Sequence, residues 1–156
     1  VLVERLARDF PGTAIIGEEG LGVSGSGGTW YVDPIDGTEA MLEGLAHWGP
    51  TVALFDDEGP VVGAFLTPMT GTFWWAARGV GAFRDEHRLR PPPLDRVRRS
   101  DRAYVPSRFH AVGPVAWPGK VRALGSTAAH LAAAASGAAA VALVAQWRTW
   151  DVGCGT

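Results

Sequence analysis

Hydrophobic and polar positions divide the chain into short elements. Leu2, Val3, Leu6 and Ala7 recur at helical spacing among Glu4, Arg5 and Arg8, and Pro11-Gly12 closes the run. This predicts a helix over residues 1–8 that begins without a cap. Ala14-Ile15-Ile16 reads as a short apolar strand, with Gly17-Glu18-Glu19-Gly20 at its end. Residues 22–29 are rich in Gly and Ser and predict a connector loop. Their Gly25-Ser26-Gly27-Gly28 run precedes a strand, whereas a dinucleotide fingerprint follows one and opens a helix. Trp30-Tyr31-Val32 predicts a buried central strand that ends abruptly at Asp33-Pro34-Ile35-Asp36-Gly37, and residues 38–45 predict a short helix.

Residues 51–55, 61–66, 73–77 and 82–84 are apolar runs separated by Asp56-Asp57-Glu58-Gly59, Pro68-Met69-Thr70-Gly71 and Gly79-Val80-Gly81. Turn chemistry at hairpin intervals predicts an antiparallel meander. Residues 89–102 combine three prolines with Arg90, Arg96, Arg98, Arg99 and Arg102 and read as a solvated loop. A single-strand nucleic-acid platform would interleave aromatic side chains, and none stands there. Ala103-Tyr104-Val105 and residues 121–124 return as strands. Ser126 is placed to cap a helix over residues 127–135 with Gly137 as its stop, and residues 138–144 predict a strand ahead of Trp150-Asp151. There is no internal repeat, and one domain spans residues 1–156.

Composition narrows the class. Hydrophobic residues make up 47% and charged residues 19%, as in globular proteins rather than disordered ones. A net charge of -2 provides no field for nucleic acid or an acidic membrane surface. Cys154 is the only cysteine, which excludes an internal disulfide framework and fits a reducing, cytoplasmic setting. Glu4 and Arg5 follow Val1-Leu2-Val3 directly, so no signal peptide is expected. The weakly polar run over residues 123–145 is broken by Gly125, Ser126, His130, Ser136 and Gly137, and reads as a buried helix and strand rather than a membrane span.

Candidate chemistry centres on Asp33 and Asp36, three positions apart. Two carboxylates that share a space repel unless a cation or a proton joins them, and a hard divalent ion prefers such oxygen ligands. Asp before Pro, then Asp-Gly, is also ordinary turn chemistry. On these residues alone, a capped turn and a metal site remain equal readings. Glu18 and Asp151 each follow an apolar strand as well, and acids at several strand ends converge on one sheet edge. A helix opening at Gly37-Thr38 would turn unpaired N–H groups outward, which favours phosphate. The Thr38 hydroxyl could cap that helix or hold a water.

Gly17-Glu18-Glu19, residues 30–38, Gly79-Val80-Gly81-Ala82-Phe83, Gly125-Ser126-Thr127-Ala128-Ala129 and Trp150-Asp151-Val152 occur in the order of the motifs of the inositol monophosphatase family, which the chain resembles over nearly its whole length. The resemblance implies a layered α/β/α/β/α phosphatase with a largely antiparallel central sheet. It also implies Mg²⁺, as two or three ions, and lithium sensitivity. Glu18, Asp33 and the Ile35 carbonyl would hold one metal, and Asp33, Asp36 and Asp151 a second. Thr38 and Glu18 would position the water, with Gly37, Thr38, Glu39, Gly125 and Ser126 toward phosphate and substrate. The implied partner is a small phosphate ester, with no nucleic acid and no membrane, and a homodimer stays open.

The chain also departs from the family pattern. It begins inside the helix that should follow a further metal-linked Asp, and it stops where Asp151 opens a helix, so terminal elements are expected to be missing. Val144 stands where the family places a substrate-recognising Glu, seven positions before Asp151. Glu39-Ala40-Met41 replaces the family's usual Thr-Asn-Phe type of sequence, and Ala40 together with Trp48-Gly49-Pro50-Thr51 resembles the histidinol-phosphatase branch. The expected activity is a Mg²⁺-dependent phosphomonoesterase acting on an inositol-phosphate-like ester or histidinol phosphate. The alternatives are a fragment that binds metal or phosphate without turnover, or a 3'(2'),5'-bisphosphate nucleotidase. His47, His87, His110 and His130 show no metal-ligand spacing and read as surface or core residues.

Overall fold

The computed structural model describes residues 2–18, 20, 22–114, 116–145 and 147–155. The expected helix start at Val1 and the loop acid Glu19 lie outside the described residues. Helix α1 (Leu2–Asp9) leads into strands β1 (Ala14–Gly17), β2 (Gly22–Val23) and β3 (Thr29–Asp36). Helix α2 (Thr38–Leu42) follows, then the meander β4 (Gly49–Asp56), β5 (Gly59–Thr67), β6 (Thr72–Ala77), β7 (Gly81–Arg84) and β8 (His87–Arg88). The remainder comprises β9 (Arg102–Tyr104), β10 (Lys120–Arg122), α3 (Thr127–Ala135), β11 (Val141–Ala142) and α4 (Thr149–Val152), ending in a 3₁₀ turn, Gly153–Gly155.

Among the described residues the large sheet runs β2-β1-β3-β4-β5-β6-β7-β8 and the small one β10-β9-β11. The large sheet is antiparallel except where β1 meets β3, and the small sheet is parallel. Register assigns the faces. Trp30 and Val32 oppose Leu54 and Val52, which oppose Val62 and Ala64, so these share one face. Leu6, Val3 and Ala7 of α1 cover that face. Phe65 points to the other face, where it packs with Ala128, Ala129 and Ala132 of α3. The His130 ring of α3 then meets Tyr104 of the small sheet at 5.6 Å between ring centroids. The order of layers is therefore helix, large sheet, helix, small sheet.

Several boundaries differ from the sequence pattern. The Gly/Ser-rich connector contains the short strand β2, which pairs with β1. Helix α2 stops at Leu42 because Gly44 takes a left-handed φ of 75°, while the N–H groups of Gly44 and Leu45 return to the carbonyls of Met41 and Ala40. Strand β11 is only two residues long, and the Leu143 N–H makes a last hydrogen bond to the Tyr104 carbonyl of β9 at 2.8 Å. The extra strand β8 follows a tight turn at Asp85, whose φ is 54°.

The most consequential difference lies in β3. The strand does not end before the acids. Asp33 opposes Thr51 and Asp36 opposes Gly49, so one extra residue of β3 is accommodated in a β-bulge. In a regular strand, residues three apart face opposite sides of a sheet. The bulge cancels that alternation and brings both acids to the α3 side. Pro34, which has no N–H for a ladder, sits in the bulge.

Among the described residues, no helix is long and apolar enough to cross a membrane.

Candidate active site

Strand pairing builds the first half of the site. Glu18 follows β1 directly, and its N–H donates to the Val32 carbonyl at 3.3 Å, which sets it beside β3. Asp33 is only 2% exposed. One of its oxygens accepts the Ile35 N–H at 2.8 Å, and the Glu18 carboxyl lies against its side chain. Burial pushes the Asp33 carboxyl up to about 7; the Ile35 hydrogen bond opposes this, and the charges of Glu18 and Asp36 add to it.

The bulge supplies the second half. Asp36 is buried, and its Oδ2 accepts hydrogen bonds from the Ser126 hydroxyl and from the Ala128 N–H, the latter at 2.8 Å. Burial raises its pKa against these bonds, and Asp151 adds like charge. Gly37 lies at φ 89°, and a Cβ there would stand 2.9 Å from the Ser126 Cβ. Gly125 is likewise left-handed at φ 81°, where a Cβ would meet that of Ala40 at 2.8 Å. The missing side chains let the starts of α2 and α3 abut, with Asp36 tying them together.

Thr38 does not cap α2: Gly37 is the N-cap, and the Thr38 hydroxyl donates to the Ile35 carbonyl at 3.1 Å. Nor is Asp151 an N-cap. It is the third residue of α4 and reaches back, its Oδ2 accepting the Arg148 N–H at 2.7 Å. The Thr51 hydroxyl donates to the Trp150 carbonyl at 2.9 Å, which ties α4 to β4 opposite Asp33. Gly153 makes the close approach possible, since a Cβ there would lie 2.9 Å from the Ala53 Cβ.

The structure thus gathers Glu18, Asp33, Ile35, Asp36, Gly37, Thr38 and Asp151 at one sheet edge. Among the described residues no three acid, histidine or cysteine side chains already stand as a ligand cluster. The acids interact in a row instead, Asp33 with Glu18 and Asp36, and Asp36 with Asp151. No lysine or arginine among the described residues pairs with any of the four. A donor set of carboxylates and one carbonyl, partly buried and mutually repelling, fits a hard divalent cation such as Mg²⁺.

Beside this edge lies an open groove of about 460 Å³, lined among others by Glu39, Arg108, Ser126, Thr127, His130 and Val144. Glu39 and the Arg108 guanidinium face each other at 4.0 Å, both largely solvated. Gly125 also lines the groove. Ser126, expected toward phosphate, is buried and commits its hydroxyl to Asp36 while accepting the Ala129 N–H at 3.0 Å.

The sequence pattern missed two groove residues. Arg108 carries no motif signal. His130 had one: it stands one helical turn after Ser126, and so on the same face of α3. It is the only histidine of the four that is buried; His47, His87 and His110 are exposed. Cys154, whose place after Asp151 could have acidified a thiol, is instead pushed up to about 12, chiefly by burial. It packs against the Phe65 cluster. Trp147 is exposed and is not among the groove residues.

Sequence and fold define the class: the chain belongs to the inositol monophosphatase family, whose family description matches residues 1–156. It is 33% identical over 163 residues to a histidinol-phosphatase of Mycobacterium tuberculosis, an alignment covering 96% of this chain and 62% of that protein. It is 34% identical over 155 residues to an inositol-1-monophosphatase of Rhizobium meliloti, covering 88% of this chain and 56% of that protein. The chain therefore spans about three fifths of the length of these curated relatives. The crystal structure of Staphylococcal IMPase-II superposes with a TM-score of 0.85 at 24% identity, over 99% of this chain and 62% of that one, and shares the fold.

Proposed function

We propose that the site belongs to a Mg²⁺-dependent phosphomonoesterase that hydrolyses a small polar phosphate ester with water as the nucleophile. The observation that carries this reading is the edge itself: four acids, two of them buried, with no basic side chain among the described residues to neutralise them. Glu18, Asp33 and the Ile35 carbonyl would hold one ion, and Asp33, Asp36 and Asp151 a second. Ions held there would offset the charge of the phosphate and acidify a bound water.

The chain's own residues supply the rest. Thr38 spends its proton on the Ile35 carbonyl, so its oxygen is free to accept a hydrogen bond from the attacking water. Glu18 is exposed, and its carboxylate takes up the proton that the water gives up. The Gly37 and Thr38 amides face the phosphate. Ser126 positions Asp36, and Asp33 is held by the Ile35 N–H.

The groove favours histidinol phosphate over an inositol phosphate. Pro106, Phe109, Val112, Val144 and Ala145 make much of its wall apolar, which suits an imidazole ring better than a polyol. Glu39 at its edge suits an ammonium group. The test is phosphate release from histidinol phosphate, inositol 1-phosphate and adenosine 3',5'-bisphosphate, with and without Mg²⁺ and lithium. Mg²⁺-dependent release, fastest on histidinol phosphate and lost in Asp33→Asn, is expected. Release by Asp33→Asn at near wild-type rate would sink the assignment.

A further inference from the structure

Among the described residues, His130 is the one titratable side chain that is both buried and part of the groove wall, 3% exposed in a cleft whose other ionisable groups, Glu39 and Arg108, are solvated. Its Nε2 accepts the Leu124 N–H at 2.9 Å. A backbone amide can only donate, so Nε2 must carry the lone pair, and the neutral ring then bears its hydrogen on Nδ1. Among the described residues, Nδ1–H has no protein acceptor. The ring cannot swing freely, because Tyr104 packs at 5.6 Å with its plane 30° from that of the imidazole.

Position on α3 says what this donor can reach. Ser126, at the helix start, faces Asp36; His130 lies one turn further on, its N–H donating to the Ser126 carbonyl at 3.2 Å. A turn advances about 5.4 Å. His130 therefore lies one turn further along α3 than the residue that binds Asp36, on the wall of the same groove. Around it, Val144 and Ala145 offer no side-chain hydrogen bond.

We infer that His130 is a specificity-determining residue, its Nδ1–H a fixed donor to a neutral acceptor on the alcohol part of the substrate. This rests on the phosphomonoesterase reading above. The ligand class it selects is a phosphate monoester whose alcohol carries a hydroxyl, carbonyl or unprotonated ring nitrogen a few atoms from phosphorus. Burial, and then the charge of His47, hold the imidazole down at about 4, so it stays uncharged in the working range and does not compete for the phosphate dianion. An analogue that lacks the acceptor forgoes this hydrogen bond and should bind more weakly.

Two measurements test this. In protein labelled with ¹⁵N-histidine, the His130 ring should show hydrogen on Nδ1 and a lone pair on Nε2 at about pH 7, and the Nδ1–H resonance should shift on adding inositol 1-phosphate with Mg²⁺. Hydrogen on Nε2, or no shift at saturating ester, overturns the inference. In kinetics, His130→Leu should raise KM roughly five- to twentyfold for histidinol phosphate and inositol 1-phosphate with kcat little changed. Phenyl phosphate, which lacks the acceptor, should be unaffected, and His130→Gln should restore part of the loss. Equal losses on all three esters would make the residue merely structural and overturn the inference. If wild-type protein shifts the resonance but releases no phosphate, the donor role stands and the phosphomonoesterase reading fails.

Discussion

Asp36 and Ser126, ninety positions apart in the chain, share a buried hydrogen bond in which the serine hydroxyl donates to the carboxylate. The same hydroxyl accepts the Ala129 N–H and so caps α3. One oxygen therefore fixes both an acid of the site and the helix that bears the groove. Ser126→Ala should cost about 1–3 kcal/mol of stability, as a lost cap plus an under-satisfied buried carboxylate. Mg²⁺ affinity should fall with it, about tenfold, by the usual weight of a residue that orients a ligand. Urea unfolding and Mg²⁺ titration calorimetry check the two effects, and unchanged Mg²⁺ affinity would deny Ser126 its positioning role.

Gly37→Ala places a Cβ at left-handed φ 89° and 2.9 Å from the Ser126 side chain. Strain and the contact together should cost about 2–4 kcal/mol. Because the clash opens the junction of α2 and α3, phosphate release should fall more than stability alone explains. Comparing Gly37→Ala with Gly44→Ala separates the contributions, since Gly44 is also left-handed but has open space around it.

Asp33 gives a pH signature of opposite sign to the usual salt-bridged acid. Its folded pKa, about 7, lies above the 3.8 of an ordinary aspartate. Both states are protonated at low pH; as pH rises, the unfolded chain releases its proton first, and the folded metal-free protein is progressively penalised until pH passes the folded value. Asp33→Asn in chelator should therefore gain on wild type between about pH 4 and pH 7, by at most about 4 kcal/mol. Excess Mg²⁺ should reverse the ranking, because it stabilises only the protein that binds it. Parallel stability curves for the two proteins would refute this.

His130 acts in an overlapping window with the other sign. Its folded pKa of about 4 lies below the 6.5 of an ordinary histidine, so the unfolded chain takes up a proton that the folded ring, buried beside Tyr104 and near His47, refuses. Its contribution is complete above about 6.5 and falls away toward 4, a loss of order 3 kcal/mol. His130→Gln should flatten that part of the acid limb in denaturant titrations read as differences from wild type, which separates it from Asp33.

Cys154 should behave as a packing residue. With its thiol pushed up to about 12, little thiolate exists near neutrality, and native protein should react with iodoacetamide far more slowly than unfolded protein. Rapid native labelling would contradict its burial.

Much of the frame was legible in sequence because it follows from local rules. Turn clusters such as Asp56-Asp57-Glu58-Gly59 marked the meander, and β4, β5, β6 and β7 follow in that order. Ser126 and the alanine run marked a capped helix, which is α3. The acids Glu18, Asp33, Asp36 and Asp151 were picked out by residue type and strand ends, and the structure brings them to one edge.

Other features have no local signature. The acids of β3 share a face only because the ladder with β4 slips by one residue between Asp33 and Asp36, a property of two strands together. Arg108 reaches the groove, and Ser126 turns from phosphate to Asp36, only once α3 lies between the two sheets. What the sequence by itself determined is which chemistry the chain carries, since side-chain type and turn propensity are local. What only the tertiary structure decided is where that chemistry points: bulge, close glycine contacts and burial arise between segments far apart in the chain, and they set the faces, partners and proton affinities of the site.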